Sequence, residues 1–274
     1  MISATNATDL SPELTEEPGG DAVAARMEVI RRELAQKHFR PYRLLRNKHA
    51  QTLGGYAWPR RFRLRALRRD EARLFEVEPG VRLLVHCRWH GGVGDADHRR
   101  ERPTLLLVHG LEGSSTSVYM LSTAHKAFRA GFNVLRLNVR TCGGSERFSQ
   151  TSYNGSMSQD LRAVVDELIA RDRLKSIYLA GFSLGGNMSL KMAGEAGAGA
   201  PPELRGLCAV SPSIDLSACA TAIAHRSNWF YGRKFLMSLK QRVRLLQQTY
   251  PDRYDASELE RVSTIREFDA RFTV

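Results

Sequence analysis

Four short apolar segments set the limits on how this chain can fold: PTLLLVHG, FNVLRLNVR, SIYLAGF and LRGLCAVSP. Amphipathic stretches follow two of them, MSQDLRAVVDELIARD after the second and LGGNMSLKMAGEA after the third. Continuous apolar strands that alternate with amphipathic helices predict a mostly parallel sheet with helices on both faces. Ahead of them, RLFEVEPGVRLLVHCRW alternates on both sides of Pro79-Gly80 and predicts a β-hairpin. The sequence therefore predicts the α/β class.

The N-terminal part is more irregular. Residues 1–22 carry Asp9, Glu13, Glu16, Glu17 and Asp21 before the first arginine, which predicts a disordered acidic tail. Residues 22–36 have the spacing of a short amphipathic helix, and the segment FRPYRLLRNKHAQTLGGYAWPR, with its prolines and paired glycines, predicts a loop. With 274 residues, 42% of them hydrophobic, we expect one domain over residues 23–274.

The start of the chain does not resemble a secretory signal, because it lacks both a basic start and an apolar centre. No apolar run approaches the roughly 20 residues that cross a bilayer. The four cysteines are scattered without metal spacing. We therefore expect reduced thiols and a cytoplasmic location.

A strong positive charge marks the chain, with a formal net charge of +12. Part of it lies in RRFRLRALRRDEAR, residues 60–73, where seven arginines face two acids. This run allows a peripheral contact with an anionic membrane surface, and the alternative is a solvated basic face. Zinc-finger spacing and RNA-binding aromatic motifs are both missing from the sequence, which argues against a nucleic-acid partner.

The stretch LAGFSLGGN places Ser183 between Gly181 and Gly185, in the pattern G-x-S-x-G at a predicted strand-to-helix junction. In that context a sharp turn exposes the serine oxygen at the top of the sheet, and the neighbouring positions leave no room for side chains. The helix that starts there directs its free N–H groups at the reacting centre. Ser183 is therefore the candidate nucleophile, and the alternative is a glycine-rich turn needed only for packing.

The loop HGLEGSS, which follows the first core strand, supports this interpretation. In a hydrolase of this architecture that loop and the residue after the nucleophile each supply one oxyanion-hole N–H. Here these are the backbone N–H groups of Leu111 and Leu184. His109 and Gly110 then brace the loop, although His109 as a base is the alternative.

Several separated motifs together resemble the YheT-like branch of the α/β-hydrolases, from about residue 39 to the last one. They are LLRNKHAQTLGGY, HGLEGSS, LNVRTCGGS, SYNGSMSQDLRAVV, GFSLGGN, AVSPSIDL and TIREFDARFTV. The resemblance implies an α/β-hydrolase fold and a serine carboxylic-ester hydrolase that acts on short-chain or glycerolipid esters without a cofactor. It also implies a Ser–Asp–His triad, in which Ser183 matches the nucleophile, and a helical lid over residues 212–262.

The remaining triad residues depart from this pattern, in which acid and histidine follow the serine on loops after later strands. After Ser183 the only histidine is His225, with Asp215 as the nearest acid, and both lie in the expected lid. We expect that the last core strands are missing and that the triad acid and histidine are not in this chain. Three explanations stay open: a fragment of a full esterase, a degenerate scaffold that binds without catalysing, or an unusual dyad of Asp215 and His225.

One further cluster is HCRWHGGVGDADH, residues 86–98, with three histidines, a cysteine and two aspartates. A metal site is one interpretation. The other, which we favour, is a strand in which His86, Arg88 and His90 share a face. A polar loop that contains Asp95, Asp97 and His98 then follows it. We therefore expect no metal ligands.

Overall fold

The computed structural model of this chain describes residues 20–36, 40–57, 70–91 and 96–273. The chain divides into two compact units, residues 1–59 and residues 60–274. In the described part of the first unit, helix α1 spans Gly20–Gln36 and helix α2 spans Lys48–Ala57, with a 3₁₀ turn at Arg43–Leu45. Helix α1 begins two residues earlier than expected. Most of the predicted acidic tail and most of the arginine run lie outside the described residues, and both stay predictions.

Helix α2 corrects the prediction of a loop between α1 and the first strand. Asn47 precedes the helix, and its Oδ1 accepts hydrogen bonds from the backbone N–H groups of His49 at 2.8 Å and Ala50 at 3.2 Å. An asparagine that binds the free N–H groups of a first turn is a strong helix-start signal. The paired glycines of this segment, Gly54 and Gly55, cost helical stability but do not prevent the helix.

The second unit contains one six-stranded sheet, in the order β1-β2-β4-β3-β5-β6. Its first two strands form the predicted antiparallel hairpin, β2 pairs antiparallel with β4, and the other pairings are parallel. The strands are β1 Glu71–Glu78, β2 Val81–Arg88, β3 Thr104–Val108, β4 Asn133–Leu137, β5 Ile177–Phe182 and β6 Leu204–Val210. The helices are α3 Ala96–Glu101, α4 Val118–Arg129, α5 Ser158–Ala170, α6 Leu184–Ala196, α7 Leu216–Ala224, α8 Trp229–Thr249 and α9 Ile265–Phe272. The predicted parallel α/β sheet is confirmed.

Alternate residues of the parallel strands enter two different cores, because successive side chains of a strand point to opposite faces. Leu106 and Leu135 pack in the larger cluster, to which α5 and α6 contribute. Their neighbours Leu107 and Val134 pack in a smaller cluster against α4. The continuous apolar runs of the sequence are explained by this burial on both faces.

The C-terminal helices form a third, smaller core. Helix α8 buries Leu239, Arg242, Val243 and Leu246, which share one helical face at intervals of three and four residues. Leu239 and Val243 pack there with residues of the last segment, including Phe268 of α9. The predicted lid segment, residues 212–262, contains α7 and α8. Its role as a lid stays a prediction. In the described part of the chain no helix is both long and apolar enough to cross a membrane.

Strand β6 lies at one edge of the described sheet, next to β5. Its other side pairs with no strand among the described residues, so that its backbone N–H and C=O groups lack sheet partners there. Cys208 and Val210 are exposed along this strand. An unpaired edge with exposed apolar side chains favours pairing with another chain.

We predict that the purified 274-residue chain self-associates through β6. A lysine on an edge strand opposes edge-to-edge pairing, so Cys208→Lys should shift sedimentation velocity profiles toward monomer. Gln248→Lys, which adds the same charge at an exposed position of α8, is the control and should leave association unchanged. A wild-type chain that stays monomeric over the whole accessible concentration range would contradict this prediction.

Candidate active site

Ser183 occupies the turn between β5 and α6. Its backbone has φ 52° and ψ −117°, an unfavourable conformation for a residue with a side chain. The turn is fixed on both sides, because the N–H of Ser183 donates to Val210 O at 3.0 Å and its carbonyl accepts from the N–H of Asn187 at 3.0 Å. The half-buried Ser183 therefore sits at the carboxyl end of the parallel sheet, in a strained turn of the kind that presents a nucleophile.

Close backbone contacts explain the glycines around this serine. A Cβ at Gly181 would lie 2.6 Å from Ser189 Oγ, and one at Gly185 would lie 2.7 Å from Val108 O. Across the gap, a Cβ at Gly110 would lie 2.9 Å from the Cβ of Ser183 and 3.5 Å from its Oγ. The loop after β3 thus approaches the serine more closely than any larger residue at Gly110 would allow.

Side chains from other elements hold the backbone N–H groups of this loop. Tyr119 Oη accepts from Gly110 N at 3.0 Å, and Tyr153 Oη accepts from Glu112 N at 2.9 Å. The remaining bonds run from Gly113 N to Gly110 O at 2.9 Å, from Ser114 N to Ser117 Oγ at 2.9 Å and from Ser115 N to Asn138 Oδ1 at 2.7 Å. Ser115 O also accepts from the buried guanidinium of Arg136.

Two backbone N–H groups at the site are left without such a bond. In the described structure, the N–H of Leu111 donates to no protein acceptor, although residues 110 and 112–115 all do. Leu184 is the first residue of α6, so its N–H has no acceptor within the helix. These are the two donors that the sequence assigned to an oxyanion hole.

His109 is buried, and backbone groups engage both of its ring nitrogens. Nε2 accepts from Val139 N at 3.2 Å, which leaves Nδ1 to donate to Gly110 O at 2.8 Å. Burial lowers the pKa of His109 to about 4, against the opposing effect of the hydrogen bond to Gly110. His109 is therefore neutral near pH 7 and has no ring nitrogen free to accept a proton from Ser183.

Asp215 and His225, the residues of the alternative dyad, each hydrogen-bond to residues that are near in sequence. Asp215 caps α7 by accepting from Ala218 N at 2.8 Å. His225 is exposed, and its Nδ1 hydrogen-bonds to Ser227 Oγ at 2.9 Å. Among the described residues, neither side chain hydrogen-bonds to Ser183 or to the other. No histidine in that part of the chain hydrogen-bonds to Ser183.

Glu112 forms a buried ionic cluster that sequence reasoning missed. Its carboxylate accepts from Arg242 Nε at 2.8 Å and Ser238 Oγ at 2.7 Å, both on α8, and from Tyr153 Oη at 2.9 Å. The side chains of Glu112 and Arg242 are 5% and 10% exposed, so this pair lies almost wholly outside water. Arg242 also donates to Thr141 O. A charged residue inside HGLEGSS was the available signal, but its partner lies 130 positions away.

The pKa of Glu112 shows the net effect of this cluster. Burial alone would raise it, but the hydrogen bond and charge of Arg242, helped by Ser238 and Tyr153, bring it below its ordinary value. Glu112 is therefore ionised at neutral pH. Because it follows Leu111 directly, its bonds also fix the backbone that carries the Leu111 N–H.

The histidine-rich segment, residues 86–98, contains a strand end and a helix start, where a strand and a loop were predicted. His86 lies in β2, but Asp97 and His98 belong to helix α3 and not to a loop, and Asp95 lies outside the described residues. His90 stacks on Phe128 with ring centroids 3.9 Å apart. No group of three or more potential ligands that could hold a metal ion occurs among the described residues.

Comparison with known proteins agrees with this architecture. The model of the alpha/beta hydrolase fold family matches residues 103–258, which is more than half of the chain. The chain belongs to the α/β-hydrolase fold family. The matched range contains β3 to β6, the Ser183 turn and the loop that carries Leu111.

Three relatives illustrate the range of the family. Phospholipase ABHD3 of Mus musculus is 28% identical over 173 residues, 63% of this chain and 42% of that protein. Monoacylglycerol lipase of Saccharomyces cerevisiae is 30% identical over 183 residues, 63% of this chain and 40% of that protein. YheT of Escherichia coli is 27% identical over 237 residues, 86% of this chain and 66% of that protein. The chain thus spans less than half the length of the first two.

Burial of neutral His109 predicts a pH dependence of stability. Its pKa is about 4 in the folded chain, against an ordinary value of 6.5, so between these values the unfolded chain binds more protons. Stability should therefore fall as the pH drops from 6.5 to 4, by about 3 kcal/mol from this group.

Urea unfolding at several pH values measures this effect. His109→Gln should flatten the pH profile over that window, and His225→Gln, at an exposed histidine, is the control that should not. If the profiles of wild type and His109→Gln are parallel, His109 is not the neutral buried group described above.

The pair Glu112–Arg242 predicts a large loss on one-sided removal. Arg242→Met leaves a buried carboxylate without its cation and should lower the free energy of unfolding by about 3–5 kcal/mol. The double variant Glu112→Gln/Arg242→Met should lose less than the sum of its single variants, with a coupling above about 1 kcal/mol. Arg162→Met breaks the exposed pair with Asp166 and should cost less than about 1 kcal/mol. Equal losses in the two Arg→Met variants would contradict this prediction.

Proposed function

We propose that this chain has the function of a serine carboxylic-ester hydrolase that acts through an acyl-enzyme on Ser183. One observation carries the proposal: a serine in a strained strand-to-helix turn faces a loop whose Leu111 N–H has no protein acceptor. The family, with relatives named phospholipase and lipase, supports an ester substrate.

Ser183 Oγ would attack the ester carbonyl carbon while a base takes its proton. The carbonyl oxygen then becomes an oxyanion, which the N–H groups of Leu111 and Leu184 would stabilise by about 3 kcal/mol each. Collapse of the tetrahedral intermediate breaks the bond to the alcohol oxygen, to which the protonated base returns its proton. The alcohol then leaves, and the acyl group stays on Ser183. Water attacks this acyl-enzyme in the second step, which releases the carboxylic acid and restores the serine.

Bracing of the oxyanion loop is the role we assign to His109 and Gly110, since the neutral ring of His109 joins Gly110 O to Val139 N. Gly181 and Gly185 allow the close packing of the turn. Among the described residues, no base hydrogen-bonds to the Ser183 hydroxyl. We therefore propose that the 274-residue chain alone turns over esters slowly, since a serine without a base is a weak nucleophile at neutral pH.

The substrate class follows from the relatives. We propose short-chain or glycerolipid esters, within the YheT-like branch, because the chain is similar to a phospholipase, a monoacylglycerol lipase and YheT. A cytoplasmic location fits the free thiols of Cys87 and Cys142, which are both buried. A peripheral membrane contact through the arginine run remains part of this proposal.

A non-catalytic binding protein is the second candidate. The observation in its favour is that both nitrogens of His109 are engaged and that His225 hydrogen-bonds to Ser227, so neither activates Ser183. Reactivity of Ser183 distinguishes the two functions.

We predict weak but specific reactivity at Ser183. A fluorophosphonate probe should label the chain slowly, and p-nitrophenyl acetate hydrolysis should not exceed about a thousandfold over water, as expected for an oxyanion site without a base. Added imidazole, which can replace a missing general base, should raise both rates above those that imidazole gives in the absence of protein. Ser183→Ala should abolish the labelling and the imidazole effect, whereas Ser227→Ala should retain both. An unreactive Ser183 in the presence of imidazole would support the binding protein.

Two further variants test the parts of this site. Gly110→Ala places a Cβ against Ser183 and should suppress labelling further. His225→Ala should leave the labelling rate and the rate of p-nitrophenyl acetate hydrolysis unchanged. Full esterase activity that is lost in His225→Ala would instead make His225 the base.

A further inference from the structure

The C-terminal helices line a half-open cavity, none of whose lining residues takes part in the proposed reaction. Its volume is about 620 Å³, and it lies between α7, α8 and residues 262–266. That volume falls within the range of small-molecule sites in proteins. Ser183, Leu111 and Leu184 are not among the lining residues.

Apolar side chains form most of the cavity wall, among them Ile223, Leu236, Val262 and Ile265. This wall continues into the third core, since Val262 belongs to it and Leu236 and Ile265 pack against it. The cavity therefore offers an apolar ligand a wall that is fixed by packing on its far side.

Three cations line the same cavity: Arg233, Lys240 and Arg266. No carboxylate is among the lining residues. The segment that contains α7 and α8 is equally one-sided, because residues 216–251 contain six arginines and lysines and no acid. The local field in this cavity is thus positive.

None of the three cations forms an ion pair with another described residue. Arg266 donates to neutral oxygens only, those of Ser217 and Thr221. The guanidinium of Arg233 lies over the ring of Trp229, 5.5 Å from its centroid. Arg266 also interacts electrostatically with Asp269, whereas Arg233 and Lys240 have no ion-pair partner among the described residues. A positive group of this kind beside an apolar wall favours an amphipathic anion.

We propose that this cavity binds a single-chain amphiphile with an anionic head group, a carboxylate or a phosphate monoester. The chain lies against Ile223, Leu236, Val262 and Ile265, and the head group contacts Arg233, Lys240 and Arg266. This binding site is separate from Ser183 and needs no turnover. Residues 212–262, which are expected to form a lid over the active site, would then also hold a ligand of their own.

Isothermal titration with octanoate, octyl phosphate and 1-monooctanoylglycerol tests the proposal, with each ligand below its micellar concentration. Octanoate and octyl phosphate should both bind, and the uncharged glyceride at least about tenfold more weakly, since tenfold corresponds to about 1.4 kcal/mol of head-group contact. If only one of the two anions binds, the head group is that one. Equal affinity for the uncharged glyceride would overturn the proposal.

Two variants and a matched control locate the site. Arg233→Gln/Lys240→Gln should weaken octanoate about tenfold without changing the glyceride, because it removes charge and keeps the apolar wall. Arg244→Gln removes an exposed charge from the same helix outside the cavity and should leave octanoate binding unchanged. Ala224→Phe fills the cavity and should weaken both ligands.

Circular dichroism and thermal melting check that each variant folds. Anion binding that survives both Arg233→Gln/Lys240→Gln and Ala224→Phe in folded protein places the ligand elsewhere and refutes the site. Because Ser183→Ala should bind octanoate like the wild type, failure here is distinct from failure of the esterase proposal.

Discussion

The close approach of helix α6 to the ends of β3 and β5 is the constraint on which the rest of this site depends. It places Gly185 against Val108 and Gly181 against the first turn of the helix, at distances that exclude any side chain. Because the helix starts this near the sheet, Ser183 must adopt its positive φ, and the N–H of Leu184 is left at the helix start without an acceptor. The geometry of one turn thus produces both a displayed hydroxyl and a hydrogen-bond donor beside it.

The second donor depends on a different kind of support. The loop after β3 has no regular secondary structure, and its shape comes from hydroxyl and amide groups of distant residues such as Tyr119, Tyr153 and Asn138. Each of these side chains accepts a hydrogen bond from one backbone N–H of the loop. Among residues 110–115, the N–H of Leu111 is left without an acceptor. A polar network that is satisfied almost everywhere thereby marks the place where a ligand oxygen would fit.

The sequence predicted the parts of this molecule that local patterns determine. Apolar runs such as those around Leu106 and Leu135 predicted the parallel strands, and the glycines around Ser183 predicted its turn. Helix α2 was not predicted, because prolines and paired glycines are typical of loops. Asn47, whose side chain caps the first turn through His49 and Ala50, is the local signal for this helix. The pair Glu112–Arg242 could not be predicted, since its residues meet only through the tertiary packing of α8.

That pair has a consequence for how far α8 can move. Ser238 and Arg242 supply two of the three side-chain partners of the Glu112 carboxylate, so displacement of the helix would leave a negative charge with one hydroxyl, in a place that water does not reach. Such a state is costly, and the loop that carries Leu111 would relax to rehydrate Glu112. The carboxylate of Glu112 therefore links the position of α8 to that of the backbone that carries the Leu111 N–H.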